Sequence, residues 1–520
     1  MRRFNVTGTC VKHKHYMADT TSKVDQMIAL VENEYYFTIN RPRQYGKTTM
    51  LSLLRQRLAD EYLVLSISFQ GVSSHNFESD ELFIEMFRSC LEDRQIYIND
   101  RYLDNFIESL KTAKTMTTLN RCITTFTSAS PKGVLLLIDE CDEGTNNEVF
   151  IKFLGMLRQK YLDRTEGFGA TFQSVILTGV HDIKNVKFKI RGDEERYNSP
   201  WNIAEEFRVD MSFDKLEIES LLFDYLSEHS ELEMDVSEVA SKIHYFTNGH
   251  PFFVSYLCKM FDEEFEGVDR WNVSNLEIAV SKLLVRKITN LDSLIKNIIS
   301  NADLEKLVHA ILIDGNEFEY SISGPAMEKG LVYGIFGKSV DNRLIISNPI
   351  YEMKIYKYLT DKMRIEESGL LNFPAGSIYI KPDGSLDMGL ILKNYSRYLA
   401  ELRDDKTDKF IENNARLLFS IFMKPIINGV GFMYKEVVIS DRKRLDVLVT
   451  YNEFKYVIEL KIWRGQAYYE EAQVQLCEYL DREGLSQGYM IVHDFRKTSD
   501  KRNMTEQVSV GGKRLDVYFV

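Results

Sequence analysis

Apolar residues in the first 210 positions fall into short runs that alternate with stretches of helical period. YYFTI (35–39), YLVLSISF (62–69), GVLLLID (133–139) and QSVILTG (173–179) are strand-sized. Between them, residues 47–59 put Met50, Leu51, Leu54 and Leu58 on one helical face. Helical patterns fill 79–128, and VFIKFLGMLRQKYL (149–162) is helical again. The run in 133–139 does not alternate, which marks a strand covered on both faces. Strands alternating with helices predict an α/β fold with a mostly parallel sheet.

From Asp214 to about Lys296 the pattern is helical only. Two β-rich runs around Gly337–Asn342 then predict a hairpin, followed by a helix, which is the order of a winged helix. Residues 364–395 contain FPAGS and KPDGS, two turn-rich clusters that place the main boundary there. The remainder, 396–520, reads helix, three strands, helix, strand and a final strand RLDVYFV. No repeat of solenoid length is visible.

The 520 residues are enough for several domains, with 44% hydrophobic and 27% charged residues. Gly (28) and Pro (9) are too scarce for long flexible linkers, and 12% aromatic content is too high for a disordered chain. The net charge of −12 argues against a protein that coats nucleic acid over its whole surface. The acidic excess lies in the first 395 residues, and the rest is nearly balanced. No apolar run approaches the ~18 residues of a membrane span. MRRFNVTGTCVKHKHY lacks the apolar core of a signal peptide. Cysteines at 10, 90, 122, 141, 258 and 477 form no CxxC motif, so reduced thiols and a cytoplasmic location are expected. His13 and His15 share a face of an extended segment, but two imidazoles make a poor metal site.

INRPRQYGKTTM (39–50) joins a predicted strand to a predicted helix. In that setting GxxxxGK[ST] turns backbone N–H groups toward phosphates. Gly46, Lys47, Thr48 and Thr49 fit the end of the pattern, while Arg41 stands where its first glycine belongs. Lys47 is expected on the β- and γ-phosphates of ATP, and Thr48 on Mg2+. LLLIDECDEG (135–144) supplies the second half: Asp139 at the strand end for Mg2+, and Glu140 to polarise the attacking water. Asp142 and Glu143 read as solvated charges. Thr178 ends the next strand and is a candidate γ-phosphate contact. Arg191, Arg196 and Arg208 are candidate arginine fingers.

RLDVLVTYNEFKYVIELKIW (444–463) carries Asp446 on one strand and Glu459-x-Lys461 on the next. Residues two apart on a strand share a face. Glu459 and Lys461 therefore lie together, and the pairing can bring Asp446 alongside. Two carboxylates suit Mg2+, and the lysine can orient a metal-bound water for attack on phosphate. Lone charges in so apolar a strand are costly without partners. KRLDV occurs again at 513–517, but no E-x-K strand follows Asp516, so that copy reads as a terminal strand.

FNVTGTC, HYMAD, YYFTINRPRQYGKTTM and LLLIDECD together resemble the AAA-ATPase-like family of bacterial proteins, related to archaeal-type and STAND ATPases, over roughly 1–290. That family often carries an RPRxxGK[ST] loop, and NGHPFF (248–253) is similar to a Gly-x-Pro lid motif through Gly249 and Pro251. Residues 396–520 resemble the PD-(D/E)XK nuclease superfamily, with an αβββαβ order. This second resemblance implies Glu412 as a further metal ligand, and Gln475 and Tyr479 as a QxxxY motif that positions substrate phosphate. Arg444 fits its RxD pattern.

The expected layout is a P-loop ATPase domain (1–213), a helical lid (214–290), a winged helix (291–363), a linker (364–395) and a nuclease-like domain (396–520). The expected function is an ATPase that gates a Mg2+-dependent nuclease. DNA is favoured over RNA, and the ATPase domain would support a homo-oligomer. The rival reading is an ATP-switched regulatory or DNA-binding scaffold whose nuclease-like domain no longer cuts.

Overall fold

The computed structural model describes residues 2–520 except 145–146, 181–187, 190–194, 197–200, 202–203, 208, 313–315, 322–323, 367–375, 403–414, 416–417, 421, 424–425, 428–430, 441–442, 453 and 497–503. The chain forms two compact units. One comprises Met1–Ala279 with Leu331–Gly334, the other Val280–Gly330 with Ile335–Val520.

In the first unit, α1 (Thr21–Glu32) precedes β1 (Phe37–Asn40), α2 (Lys47–Leu58) and β2 (Leu63–Ser68). Three helices follow, α3 (Asp80–Gln95), α4 (Arg101–Leu110) and α5 (Met116–Ala129). Each starts at a polar N-cap: Ser79, Asp100 and Thr115 accept backbone N–H groups of the first turn. β3 (Val134–Asp139), α6 (Glu148–Thr165) and β4 (Ser174–Gly179) complete the run read from the sequence. Beyond the short hairpin of β5 (Phe188–Lys189) and β6 (Glu195–Arg196), β7 (Glu205–Glu206) adds a fifth strand. At two residues, β7 has too little pattern to be seen in the sequence.

The sheet runs β2-β3-β4-β1-β7, and each pairing is parallel. β3 is buried along its whole length because both its faces are covered. Leu135 and Leu137 pack with Met50, Leu51 and Leu54 of α2. Leu136 and Ile138 pack on the other side with Phe83, Phe87 and Phe153 of α3 and α6. The alternation of Cβ directions along a strand sets this division. α7 (Lys215–Leu226), α8 (Val236–Thr247) and α9 (Pro251–Glu264) form the helical part of this unit. A capping box between Asp214 and Glu217 starts α7. α10 (Val273–Val285) follows.

The second unit has helices α11 (Thr289–Ile299), α12 (Ala302–Leu312) and α13 (Pro325–Val332, whose last two residues fall in the first unit). The antiparallel hairpin β8 (Phe336–Lys338) and β9 (Leu344–Ile346) and then α14 (Pro349–Glu366) come next. Within 364–395, the stretch expected as a linker, α15 (Met388–Leu402) begins. Ile391, Leu392, Tyr395 and Leu399 recur at helical spacing and are buried in the C-terminal core. The Tyr356 hydroxyl also donates to Ser420 Oγ at 2.8 Å, tying α14 to the C-terminal region.

The C-terminal sheet has the order β10-β11-β12-β13-β15-β14. β10 (Gly431–Ser440), β11 (Lys443–Tyr451) and β12 (Phe454–Ile462) form an antiparallel meander. α16 (Gln466–Arg482) then leads to β13 (Gln487–His493), parallel to β12. β15 (Lys513–Phe519) is parallel to β13, and β14 (Thr505–Val510) pairs antiparallel on its edge. β14 has no counterpart in the sequence pattern. Its sequence TEQVSV alternates exposed and half-exposed positions, as an edge strand does, and carries little apolar signal. All six cysteines are free thiols. Among the described residues no helix is long and apolar enough to cross a membrane.

Candidate functional site

The loop between β1 and α2 lies at the carboxyl end of the parallel sheet, where β1 stands beside β4 and its successor β2 is three strands away. In open α/β sheets such a switch of strand order opens a crevice for ligands. Gln44 and Gly46 have left-handed backbones, φ 64° and 77°, and curl the loop into the start of α2. Gly46 is the N-cap, so only a residue without Cβ enters the helix there without strain.

Lys47 is buried and its ammonium donates to the carbonyls of Arg41 (2.8 Å) and Pro42 (3.1 Å). Burial lowers its pKa, against the pull of the Glu140, Asp142 and Asp139 carboxylates. Thr48 Oγ1 donates to Asp139 Oδ2 at 2.7 Å. The other Asp139 oxygen accepts the hydroxyl of Thr178 and the N–H of Glu140, the latter at 3.0 Å. The first turn of α2 and the ends of β3 and β4 thus meet around one carboxylate. The fit to Mg2+ is chemical: a threonine hydroxyl and a carboxylate are hard oxygen donors, already side by side. The fit to phosphate is equally direct, since phosphate oxygens can replace the two loop carbonyls that hold Lys47.

Glu140 is half-buried with a left-handed backbone, φ 56°. Burial raises its pKa, Lys47 lowers it, and Asp139 and Asp142 raise it again. Thr49 Oγ1 accepts the N–H of Cys10 at 3.1 Å. Asp142 is not simply solvated: it accepts the Val180 N–H at 2.7 Å and lies against Gly179, where a Cβ would meet Asp142 Oδ1 at 2.9 Å. Arg41, at the missing first glycine, has a role the sequence could not show. Its guanidinium donates to Asn40 O (2.8 Å), Val209 O (2.8 Å) and Phe207 O (3.3 Å), anchoring the loop to the segment after β7.

Gly249 and Pro251 begin α9. Gly249 has φ 69°, and a Cβ there would stand 1.9 Å from the Phe213 carbonyl oxygen. The Phe213 N–H donates back to Gly249 O at 2.7 Å. The ring of His250 is 4.4 Å from that of Tyr45 in the phosphate loop. Burial pushes His250 down to about 3, so it is neutral. Arg191 and Arg208 lie outside the described residues, as does the side chain of Arg196. Near the N-terminus, His15 Nδ1 accepts the Val11 N–H at 2.9 Å, a structural role.

In the C-terminal sheet Glu459 is fully buried and the Lys461 ammonium is 2.8 Å from its Oε1. Val447 pairs with Ile458, so the next ladder step sets Asp446 opposite Glu459; the Asp446 side chain lies outside the described residues. Glu412 lies outside them too. Gln475 and Tyr479 are one turn apart on α16; Gln475 is half-buried and Tyr479 fully buried. Asp516, in the second KRLDV, is enclosed by donors: Gln487 (2.6 Å), Gln507 (2.8 Å) and Arg514 (3.1 Å). Among the described residues no three His, Cys, Asp or Glu side chains gather to hold a metal.

Residues 9–269 match the family model of the AAA-like domain. No curated protein matches the chain. Among solved structures, the Walker-type ATPase PABY2304 of Pyrococcus abyssi is similar at 15% identity and TM-score 0.45, over 68% of this chain and 99% of its own. The ORC2 protein of Aeropyrum pernix, in ADPNP–ADP complexes, is similar at 10% identity and TM-score 0.37, over 66% and 93%. The ORC1 protein of that organism, in complex with DNA, is similar at 10% and 0.30, over 68% and 95%.

Proposed function

The chain belongs to the AAA-like domain family, and from that premise we propose that it binds and hydrolyses ATP to gate a Mg2+-dependent nuclease in its C-terminal region. In the ATPase half, Lys47 neutralises β- and γ-phosphate charge, and Thr48 and Asp139 would hold Mg2+. Glu140 accepts the proton of the attacking water, and Thr178 keeps Asp139 oriented. One of Arg191, Arg196 or Arg208 would complete the site of a neighbouring copy in a homo-oligomer. The helices and hairpin of 291–363 would serve as a winged helix between ATPase and nuclease, and the protein would work in the cytoplasm.

The observation that carries the nuclease is Glu459. A carboxylate buried in an apolar strand, with an ammonium at 2.8 Å, is costly to desolvate and a poor source of stability. Asp446, opposite Glu459 by extension of the β11–β12 register, would supply the second acid that makes it a metal site. Asp446, Glu459 and Glu412 would hold Mg2+, which supplies charge neutralisation and a more acidic water. Lys461 would orient the attacking water, and Gln475 and Tyr479 would align the substrate phosphate through α16. The meander, the helix and the parallel return of β13 support the αβββαβ reading, and DNA is the proposed substrate.

The test is plasmid cleavage by the purified chain with Mg2+, with and without ATP, in wild type, Lys47→Ala and Glu459→Gln. Cutting that depends on Glu459 and responds to ATP only when Lys47 is present is the expected result. An ATP response with no cutting of plasmid, linear DNA, single-stranded DNA or RNA would instead support the scaffold reading.

A further inference from the structure

Beyond Lys461 the same strand carries a feature that neither metal binding nor phosphate attack uses. Glu459, Lys461 and Trp463 are spaced by two, so they follow one another on one face, about 7 Å per step. The Trp463 N–H still donates to His493 O at 2.9 Å, which continues the pairing of β12 with β13. The Trp463 indole packs against Tyr469 and Phe519, with ring centroids 5.6 and 6.0 Å away. Over it lies the Arg496 guanidinium, 4.7 Å from the ring.

That guanidinium is held by its edge. Asp494, fully buried, accepts from Arg496 Nε at 2.9 Å and Nη2 at 2.6 Å. A planar guanidinium bound through its edge can stack through its faces. One covers Trp463. The Arg496 side chain is 47% exposed, so the stack opens to solvent. On α16, which supplies Tyr469 to the Trp463 cluster, the exposed ring of Tyr468 has Lys461 and Arg464 each 5.9 Å from its centroid. Flat faces edged with positive charge are what single-stranded nucleic acid binds: bases stack while cations follow the phosphates.

We infer that the Arg496–Trp463 stack, with Tyr468, is a nucleobase platform that makes the substrate a single-stranded or frayed strand. As a statement about substrate, this rests on the nuclease reading of Glu459 and Lys461. Trp463 lies about two stacked nucleotide steps of about 3.4 Å from Lys461. A base on the platform therefore belongs to a nucleotide close to the phosphate at the Glu459–Lys461 pair. In a duplex both faces of each base are occupied by neighbours, so the platform selects strands whose bases are free.

Binding of the full chain to fluorescein-labelled oligothymidine and to a blunt hairpin duplex, measured in EDTA, tests this apart from cleavage. Arg496→Lys keeps the charge beside Asp494 and loses the plane; Trp463→Leu keeps an apolar contact and loses the π face. Each should weaken oligothymidine binding about tenfold, the loss of one stacking contact, and leave duplex binding within twofold. Thermal unfolding of each variant checks that the fold is kept. Wild-type oligothymidine affinity in both folded variants, equal losses for both DNAs, or no oligothymidine binding by wild type would overturn the platform. Plasmid cleavage with Mg2+ is scored separately: cutting with an indifferent Arg496→Lys rejects the platform alone, and selective binding without cutting rejects the nuclease alone.

Discussion

The Thr48 hydroxyl and the Asp139 carboxylate, 91 residues apart in sequence, meet at 2.7 Å. This contact joins the start of α2 to the acidic strand end, and Thr178 joins the same carboxylate from the neighbouring strand β4. Lys47 and Glu140 stand next to these two residues in sequence, near enough for each to shift the other's pKa.

Glu140 should govern the acid side of ATP hydrolysis. Burial raises its pKa, so the base is protonated, and the rate lost, at a higher pH than for an ordinary glutamate. The acid limb of kcat should therefore lie above about 4.3. Glu140→Gln should bind ATP, lower kcat about a hundredfold or more and erase that limb. A steady-state pH profile of both proteins decides the point.

Arg41→Gly would restore the missing first glycine of the loop, yet should weaken ATP. The arginine anchors the loop through Val209 O and Phe207 O, and a charged donor of this kind contributes about 1.5–3 kcal/mol. A loss of about tenfold or more in affinity is expected by titration calorimetry. Equal or tighter binding would show that the anchor does not shape the loop.

Gly249→Ala should damage the helical part of the ATPase unit. Its left-handed φ disfavours a side chain, and the Cβ would collide with Phe213 O. The effect should exceed about 3 kcal/mol and lower the first thermal transition by about 5 °C or more. An unchanged transition would mean that the α7–α9 region adjusts freely around Phe213.

Asp516 should matter for stability and not for cleavage. Burial raises its pKa, but hydrogen bonds from Gln507, Arg514 and Gln487 lower it further than burial raises it. A depressed carboxylate stabilises the fold above its unfolded value, about 3.9, and that contribution is lost as pH falls through the lower folded value. Asp516→Asn should lose about 2 kcal/mol at neutral pH, flatten this acid dependence and retain plasmid cleavage. Calorimetry at several pH values with a cleavage assay would show it; lost cleavage in a folded variant would make the second KRLDV part of the active site.

Local pattern in the sequence determined the four longer strands of the ATPase sheet, the entry to α2, and the charged pair inside β12. Each is written in a few consecutive residues: unbroken apolar runs, GKT after a strand, E-x-K within VIELKIW. Tertiary structure alone decided who meets whom. Arg41 finds its carbonyl partners more than 160 residues away, on a segment beside a two-residue strand. Asp142 is drawn to Gly179 and Val180, and Asp516 is enclosed by glutamines from two other strands. The Arg496–Trp463 stack needs β12 and β13 side by side before it exists. Periodicity reports the face a residue presents, because Cβ direction is set by its own backbone. It carries no information on which distant segment covers that face, since the order and register of the sheet bring those residues together.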